Sequence, residues 1–170
     1  MDFDAHIRDI PDFPKPGIVF KDITPLLGDA DAFDASVHAL VKPFLGKRID
    51  AVVGIESRGF IFGAPVAREL KVGFVPIRKP GKLPADTISV SYALEYGEDT
   101  VEIHRDALTA AQNVLLIDDV LATGGTMAAS CELVEKTGAT IGGLAFLVEL
   151  AFLDGREKLA GHTIHSILTY

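Results

Sequence analysis

The chain has 170 residues, close to the size of one average domain, so a single compact core is expected and a second of comparable size is excluded. Its 16 Lys and Arg against 24 Asp and Glu leave a net charge of −8, which argues against a protein held to nucleic acid or anionic lipid by bulk charge. With 48% hydrophobic and 24% charged residues the composition is globular, excluding disorder and collagen, and any phosphate the protein binds must be met locally.

The lone cysteine, Cys131, cannot pair within the chain or build a thiolate zinc cluster, and it fits a reducing compartment. Residues 1–4 are acidic and lead into no signal-type apolar run, and no stretch approaches the ~18 uncharged residues of a membrane span. A cytoplasmic protein without membrane or nucleic-acid partners is expected.

Along the chain, Pro11, Pro14, Pro16, Gly17, Pro25 and Gly28 punctuate residues 1–30, predicting a structured arm with no long element. Phe33, Val37, Leu40, Val41 and Phe44 share one helical face, predicting a helix from near Asp31 that Pro43 kinks or ends. A strand over 51–55, a helix over 60–70, strands over 72–77 and 114–117, a helix over 126–137 and an apolar run over 141–148 follow. Short, continuously apolar strands alternating with helices predict an open, doubly wound, mostly parallel α/β sheet covered on both faces.

Residues 79–105 break this rhythm. They open with Lys79, Pro80, Gly81 and Lys82 and continue as two alternating segments, 88–92 and 101–104, joined through 96–99. This predicts a β-hairpin inserted between core strands, a flap over a site. His162 and His165, three apart on an expected strand, fall on opposite faces, so no transition metal is assigned; Cys131 lies on the apolar side of its helix.

The strongest chemical signal is residues 114–126, where an apolar strand ends in Asp118 and Asp119 and Gly124 and Gly125 open a helix. Ligands of open α/β sheets bind at such carboxyl ends. The glycines allow a tight turn and close backbone approach, Thr123 and Thr126 add hydroxyls, and the helix N-terminus presents unpaired N–H groups to an anion. No Lys-Ser or Lys-Thr follows the glycines and G-x-G-x-x-G is lacking, so this is neither a Walker loop nor a dinucleotide site. Two acids beside a phosphate cradle need vicinal sugar hydroxyls or a magnesium ion as partners, and a sugar phosphate is the simplest ligand satisfying both.

Asp118-Asp119 with residues 122–126 resembles the phosphoribosyl-pyrophosphate signature of the type I phosphoribosyltransferases. The segments 12–14, 16–25, 57–60, 78–84 and 94–97 are similar to the adenine branch of that family, a resemblance running from about Ile10 to Leu168. It implies one domain over 1–170, with 1–30 as a base-binding arm and 79–105 as a flap hairpin. It further implies magnesium-dependent transfer of 5-phosphoribosyl from phosphoribosyl pyrophosphate to adenine, giving AMP and pyrophosphate, by a homodimer.

The roles the resemblance implies fall residue by residue. Ala122, Thr123, Gly124, Gly125 and Thr126 would hold the 5′-phosphate, and Asp118 and Asp119 the ribose hydroxyls. Ser57, Arg58 and Gly59 would face pyrophosphate, joined by Arg78, Lys79 and Lys82. Glu95 and Tyr96 on the flap, with Arg58, would serve catalysis, Glu95 exchanging a proton with the purine. Val19, Phe20, Lys21 and Leu150 would form the adenine pocket; Lys21 departs from the arginine many members carry, whose plane stacks on a base as an ammonium cannot. Magnesium would travel with the substrate, near Asp118 and Asp119. The rivals are a phosphoribosyltransferase for another purine such as xanthine, and a non-catalytic phosphoribosyl-pyrophosphate sensor, for which no helix-turn-helix extension is present.

Overall fold

The computed structural model describes residues 1–93 and 97–170. Two short antiparallel strands, β1 (Arg8–Pro11) and β2 (Val19–Asp22), pair Arg8 with Asp22 and Pro11 with Val19. The arm is therefore more regular than its prolines suggest, because Pro11 ends β1 and the other prolines fall in the turn or open the short helix α1 (Thr24–Gly28). Helix α2 (Ala30–Val41) begins at Asp29, whose carboxylate accepts the Ala32 N–H at 2.9 Å, and gives way to a 3₁₀ turn containing Pro43. Phe44 at that turn is fully buried, completing the apolar face expected from the spacing.

The central sheet contains β3 (Ala51–Ile55), β4 (Gly73–Ile77), β7 (Asn113–Leu121), β8 (Thr140–Glu149) and β9 (Ile164–Thr169), in the order β4-β3-β7-β8-β9 and all parallel. Helix α3 (Gly59–Leu70) follows β3 and packs with α2 on one face, where Val52, Leu115 and Ile117 meet Phe62 and Val66. Helix α4 (Gly125–Lys136) follows β7 on the other face, where Val53 and Leu116 meet Met127 and Cys131. The period-2 alternation of neighbouring residues between two cores makes the sheet doubly wound. Burial pushes the Cys131 thiol up to about 12, so it stays protonated as a core group.

The hairpin, β5 (Thr87–Ala93) with β6 (Glu98–His104), forms its own antiparallel sheet. Val90, Val101 and Ile103 are buried in the α4-side core, and Arg78 bridges backbone to backbone with Glu102, so the base of the hairpin is built into the domain. His162 lies in the turn before β9, and His165 within β9 places Nε2 3.2 Å from the Ala39 carbonyl oxygen.

Strand order reverses between β3 and β7: the chain crosses from β3 outward to β4 and returns to the opposite side at β7. A crevice opens at such a switch point beyond the carboxyl ends of the two strands. Its geometry depends on close packing of α3 on the sheet. A Cβ on Gly54 would lie 2.6 Å from the Phe74 ring and one on Gly63 would lie 2.7 Å from it, so the ring fills space that neither residue can share.

Candidate active site

The pairing of β3 with β7 stops at Gly54 and Ile117, whereas β7 continues beside β8 to Leu121 and Glu149. Asp118 and Asp119 thus belong to the strand rather than to its end as the apolar run suggests, and they flank the crevice where β3 has fallen away. Gly59 makes room for them, because a Cβ there would stand 2.9 Å from Asp118 Oδ1 and from the Ile117 carbonyl.

Asp119 is 3% exposed and still carries a buried oxygen, Oδ2, with no hydrogen bond. Arg58 Nε lies 2.8 Å from that oxygen but out of line for a hydrogen bond, so the contact is a charge pair alone. Burial and then the Asp119 charge raise the Asp118 carboxyl well above its ordinary range; the Asp119 N–H donates to Asp118 Oδ1 at 2.9 Å. Burial also raises Asp119, against the lowering pull of Arg58. Asp119, buried, and Asp118, half-buried, share one arginine and form a site short of positive charge and of donors. That deficit fits a magnesium ion or sugar hydroxyls.

Next along the chain, Gly124 adopts φ +77°, a left-handed turn that suits glycine, and starts α4. No side chain caps this N-terminus. Its N–H groups face a small recess of about 70 Å³ formed by residues 120–127 with Asp118, the geometry of an anion site. Thr126 joins the loop to the hairpin: the Tyr92 hydroxyl donates to Asp99 Oδ2 at 3.1 Å, so Thr126 Oγ1, 3.0 Å from the same phenol oxygen, is the donor to it.

Beside this recess lies a cavity of about 540 Å³. Of the residues expected to bind ligand, Val19, Phe20, Lys21, Ser57, Arg58, Lys79, Asp118, Asp119, Ala122, Thr126 and Leu150 line it. Thr123, Gly124 and Gly125 line the adjoining recess, while Gly59 lies beneath the carboxylates.

The Arg58 guanidinium carbon is 5.5 Å from the Phe20 ring centre, linking the arm to the β3–α3 loop. Lys21 places its ammonium 2.7 Å from Asp9 and 3.8 Å from the Tyr170 ring centre.

Arg78 and Lys82 stand apart from the cavity lining. Both bind Glu56, Arg78 Nε at 3.2 Å and Lys82 Nζ at 2.7 Å, and the Lys79 N–H adds a third contact at 2.9 Å. The Lys82 hydrogen bond leads the causes that hold the Glu56 carboxyl down at about 2. Lys79 faces the cavity paired with Asp99; burial alone would lower its ammonium, and Asp99 and Tyr92 together more than reverse this. Glu95 and Tyr96 lie outside the described residues.

Sequence reasoning missed Tyr92 and Asp99 and gave Glu56, at the start of the expected pyrophosphate loop, no role of its own. Tyr92 and Asp99 are direct cross-strand partners, and Tyr92 shares the inward period with buried Val90, so alternation along β5 was the available signal. Glu56 offered none beyond adjacency to Ser57. Among the described residues no cluster of three or more His, Cys, Asp or Glu is placed to hold a metal, and no helix is long and apolar enough to cross a membrane.

The model of the phosphoribosyl transferase domain matches residues 32–162. The chain belongs to the phosphoribosyltransferase family. Adenine phosphoribosyltransferase from Nitrosococcus oceani is 61% identical over 98% of this chain and 97% of its own length. The crystal structure of adenine phosphoribosyltransferase from Thermoanaerobacter pseudethanolicus superposes with a TM-score of 0.96 at 54% identity, covering 99% of this chain and 98% of the other. The Saccharomyces cerevisiae enzyme, solved with D-2,5-dideoxy-2,5-imino-altritol 1,6-bisphosphate and adenine, gives a TM-score of 0.93 at 40% identity over 98% and 96% of the two chains. Within the phosphoribosyltransferases this chain is an enzyme of the adenine branch, a glycosyltransferase by reaction type.

Proposed function

We propose that the protein transfers the 5-phosphoribosyl group of phosphoribosyl pyrophosphate to adenine with magnesium, releasing AMP and pyrophosphate. The observation that carries this reading is the joining of Asp118 and Asp119, Arg58 with Lys79, and an aromatic surface at Phe20 around one space of about 540 Å³, with an uncapped helix N-terminus at the recess beside it. A sugar carrying a phosphate at one end, a pyrophosphate at the other and a flat base beside it has this sequence of chemical demands.

The α4 N-terminus and Thr126 bind the terminal phosphate, and Asp118 and Asp119 accept the ribose hydroxyl protons. Arg58 and Lys79 face the leaving pyrophosphate, while Phe20, Val19 and Leu150 cover the base. The anomeric C–O bond breaks, a C–N bond to the purine forms, and the proton of that nitrogen leaves; Glu95 is assigned to exchange it. Charge develops on the departing oxygen, so fixed cations and exclusion of water lower the barrier. Magnesium carried by the substrate would sit beside Asp118 and Asp119 and would further neutralise the pyrophosphate. A cytoplasmic homodimer belongs to the same reading.

The test offers adenine, hypoxanthine, guanine and xanthine separately with magnesium and phosphoribosyl pyrophosphate, following nucleotide by chromatography. AMP from adenine alone is expected. Product from another base overturns the base assignment, and no product despite phosphoribosyl-pyrophosphate binding overturns catalysis.

A further inference from the structure

Glu149, at the carboxyl end of β8, is 4% exposed and outside the cavity, and it accepts three side-chain hydrogen bonds. Arg156 grips both its oxygens, Nε on Oε1 and Nη2 on Oε2 at 2.7 Å, and the Ser166 hydroxyl from β9 donates to Oε2 at 2.6 Å. The Arg156 hydrogen bonds lead the causes that hold this carboxyl below its ordinary range, so at neutral pH the pair is ionised and two-pronged.

Arg156 stands in the 3₁₀ turn Gly155–Leu159, directly after Gly155. Gly155 presses on the back of the anion-binding loop: a Cβ there would meet the Ala122 carbonyl and stand 3.0 Å from Leu121 Cδ1 and 3.1 Å from the Gly124 N. A Cβ on Gly124 would in turn meet the Gly155 carbonyl. The two glycines are thus stacked backbone on backbone, and the turn carrying Gly155 is tied to the sheet by the Arg156 fork and by buried Leu159.

We propose that Arg156, gripping Glu149, is a positioning residue that holds Gly155 against residues 122–124 and so presets the loop for the sugar phosphate. This rests on the reading of that loop as the phosphate site. An anion site built from backbone N–H groups has no side chain to adjust its aim, so its affinity depends on how firmly the backbone is backed.

The experiment first titrates ribose 5-phosphate into the unaltered protein by calorimetry, then compares Arg156→Ala, Arg156→Lys and Arg48→Ala. Arg48 pairs with Asp50 at the opposite end of the sheet and serves as the control for a lost surface ion pair. Arg156→Ala is expected to weaken ribose 5-phosphate binding and raise KM for phosphoribosyl pyrophosphate about tenfold, the scale of one charged hydrogen-bonded contact, with KM for adenine unchanged. Arg156→Lys, retaining the charge with a single point of attachment, should fall between, and Arg48→Ala should match the unaltered protein. Failure of the unaltered protein to bind ribose 5-phosphate overturns the phosphate site itself. Binding there with equal affinity in Arg156→Ala, or equal rises in both KM values, overturns the positioning role alone. Should the alanine variant fold poorly, the lysine variant carries the same comparison.

Discussion

Asp118 and Asp119 are kept at a cost to the free protein. A carboxyl raised by burial contributes no penalty below its ordinary value of 3.8; the penalty grows as pH rises and is complete above the folded-state value. Near neutrality the fold therefore works against this pair, a cost that the proposed ligand would offset. Asp118→Asn retains an oxygen for the Asp119 N–H while removing the repulsion, leaving Asp119 matched to Arg58. It should raise the stability of the free protein by about 1 kcal/mol in denaturant unfolding, yet weaken ribose 5-phosphate binding about tenfold. A variant that is both less stable and equally tight would show that the carboxyls are structural. The two aspartates were legible as a pair in the sequence; that one would hold an oxygen without a hydrogen bond was not, because the position of Arg58 depends on where a different strand ends.

The loop between β7 and α4 shows how an element can be specified by space rather than by contacts. Gly124 has a positive φ, and Gly155 closes the volume where its side chain would go. Gly124→Ala meets both constraints, about 1 kcal/mol for the left-handed backbone and a further, larger amount for the displaced neighbour. A thermal shift downward with loss of ribose 5-phosphate binding is the expected result; an alanine variant that binds normally would remove the anion role from the loop. The glycine pair and the helix after it could be read from residues 114–126 alone. Its backing could not, since Gly155 and Arg156 lie about thirty residues on with no pattern of their own. Likewise β5 and β6 were legible from alternation, while the burial of Val90, Val101 and Ile103 against α4 required the third dimension.

Over the whole molecule, five described carboxylates outside the aspartate pair behave oppositely. Glu56, Asp99 and Glu149 are all held low by basic partners, as are Asp22 and Asp50 through backbone N–H groups and arginines. Their stabilisation is present above the ordinary carboxylate range and is lost as pH falls. For Glu56 the window runs from 4.5 down to about 2. Glu56→Gln should lower stability at neutral pH and flatten the decline across that window in urea unfolding measured at stepped pH; an unaltered slope would mean the Arg78 and Lys82 contacts contribute nothing. The α/β class and its winding followed from the spacing of apolar runs, but the strand order that opens the crevice did not. The packing of Phe74 between Gly54 and Gly63 carries a consequence for how such a sequence can change over time. Enlarging either glycine or trimming the ring, taken singly, opens a void or a clash beneath α3, and α3 begins at Gly59 under Asp118. The three positions can drift only in concert, so the floor of the crevice is held in place partly by an epistatic lock among residues that do not line it.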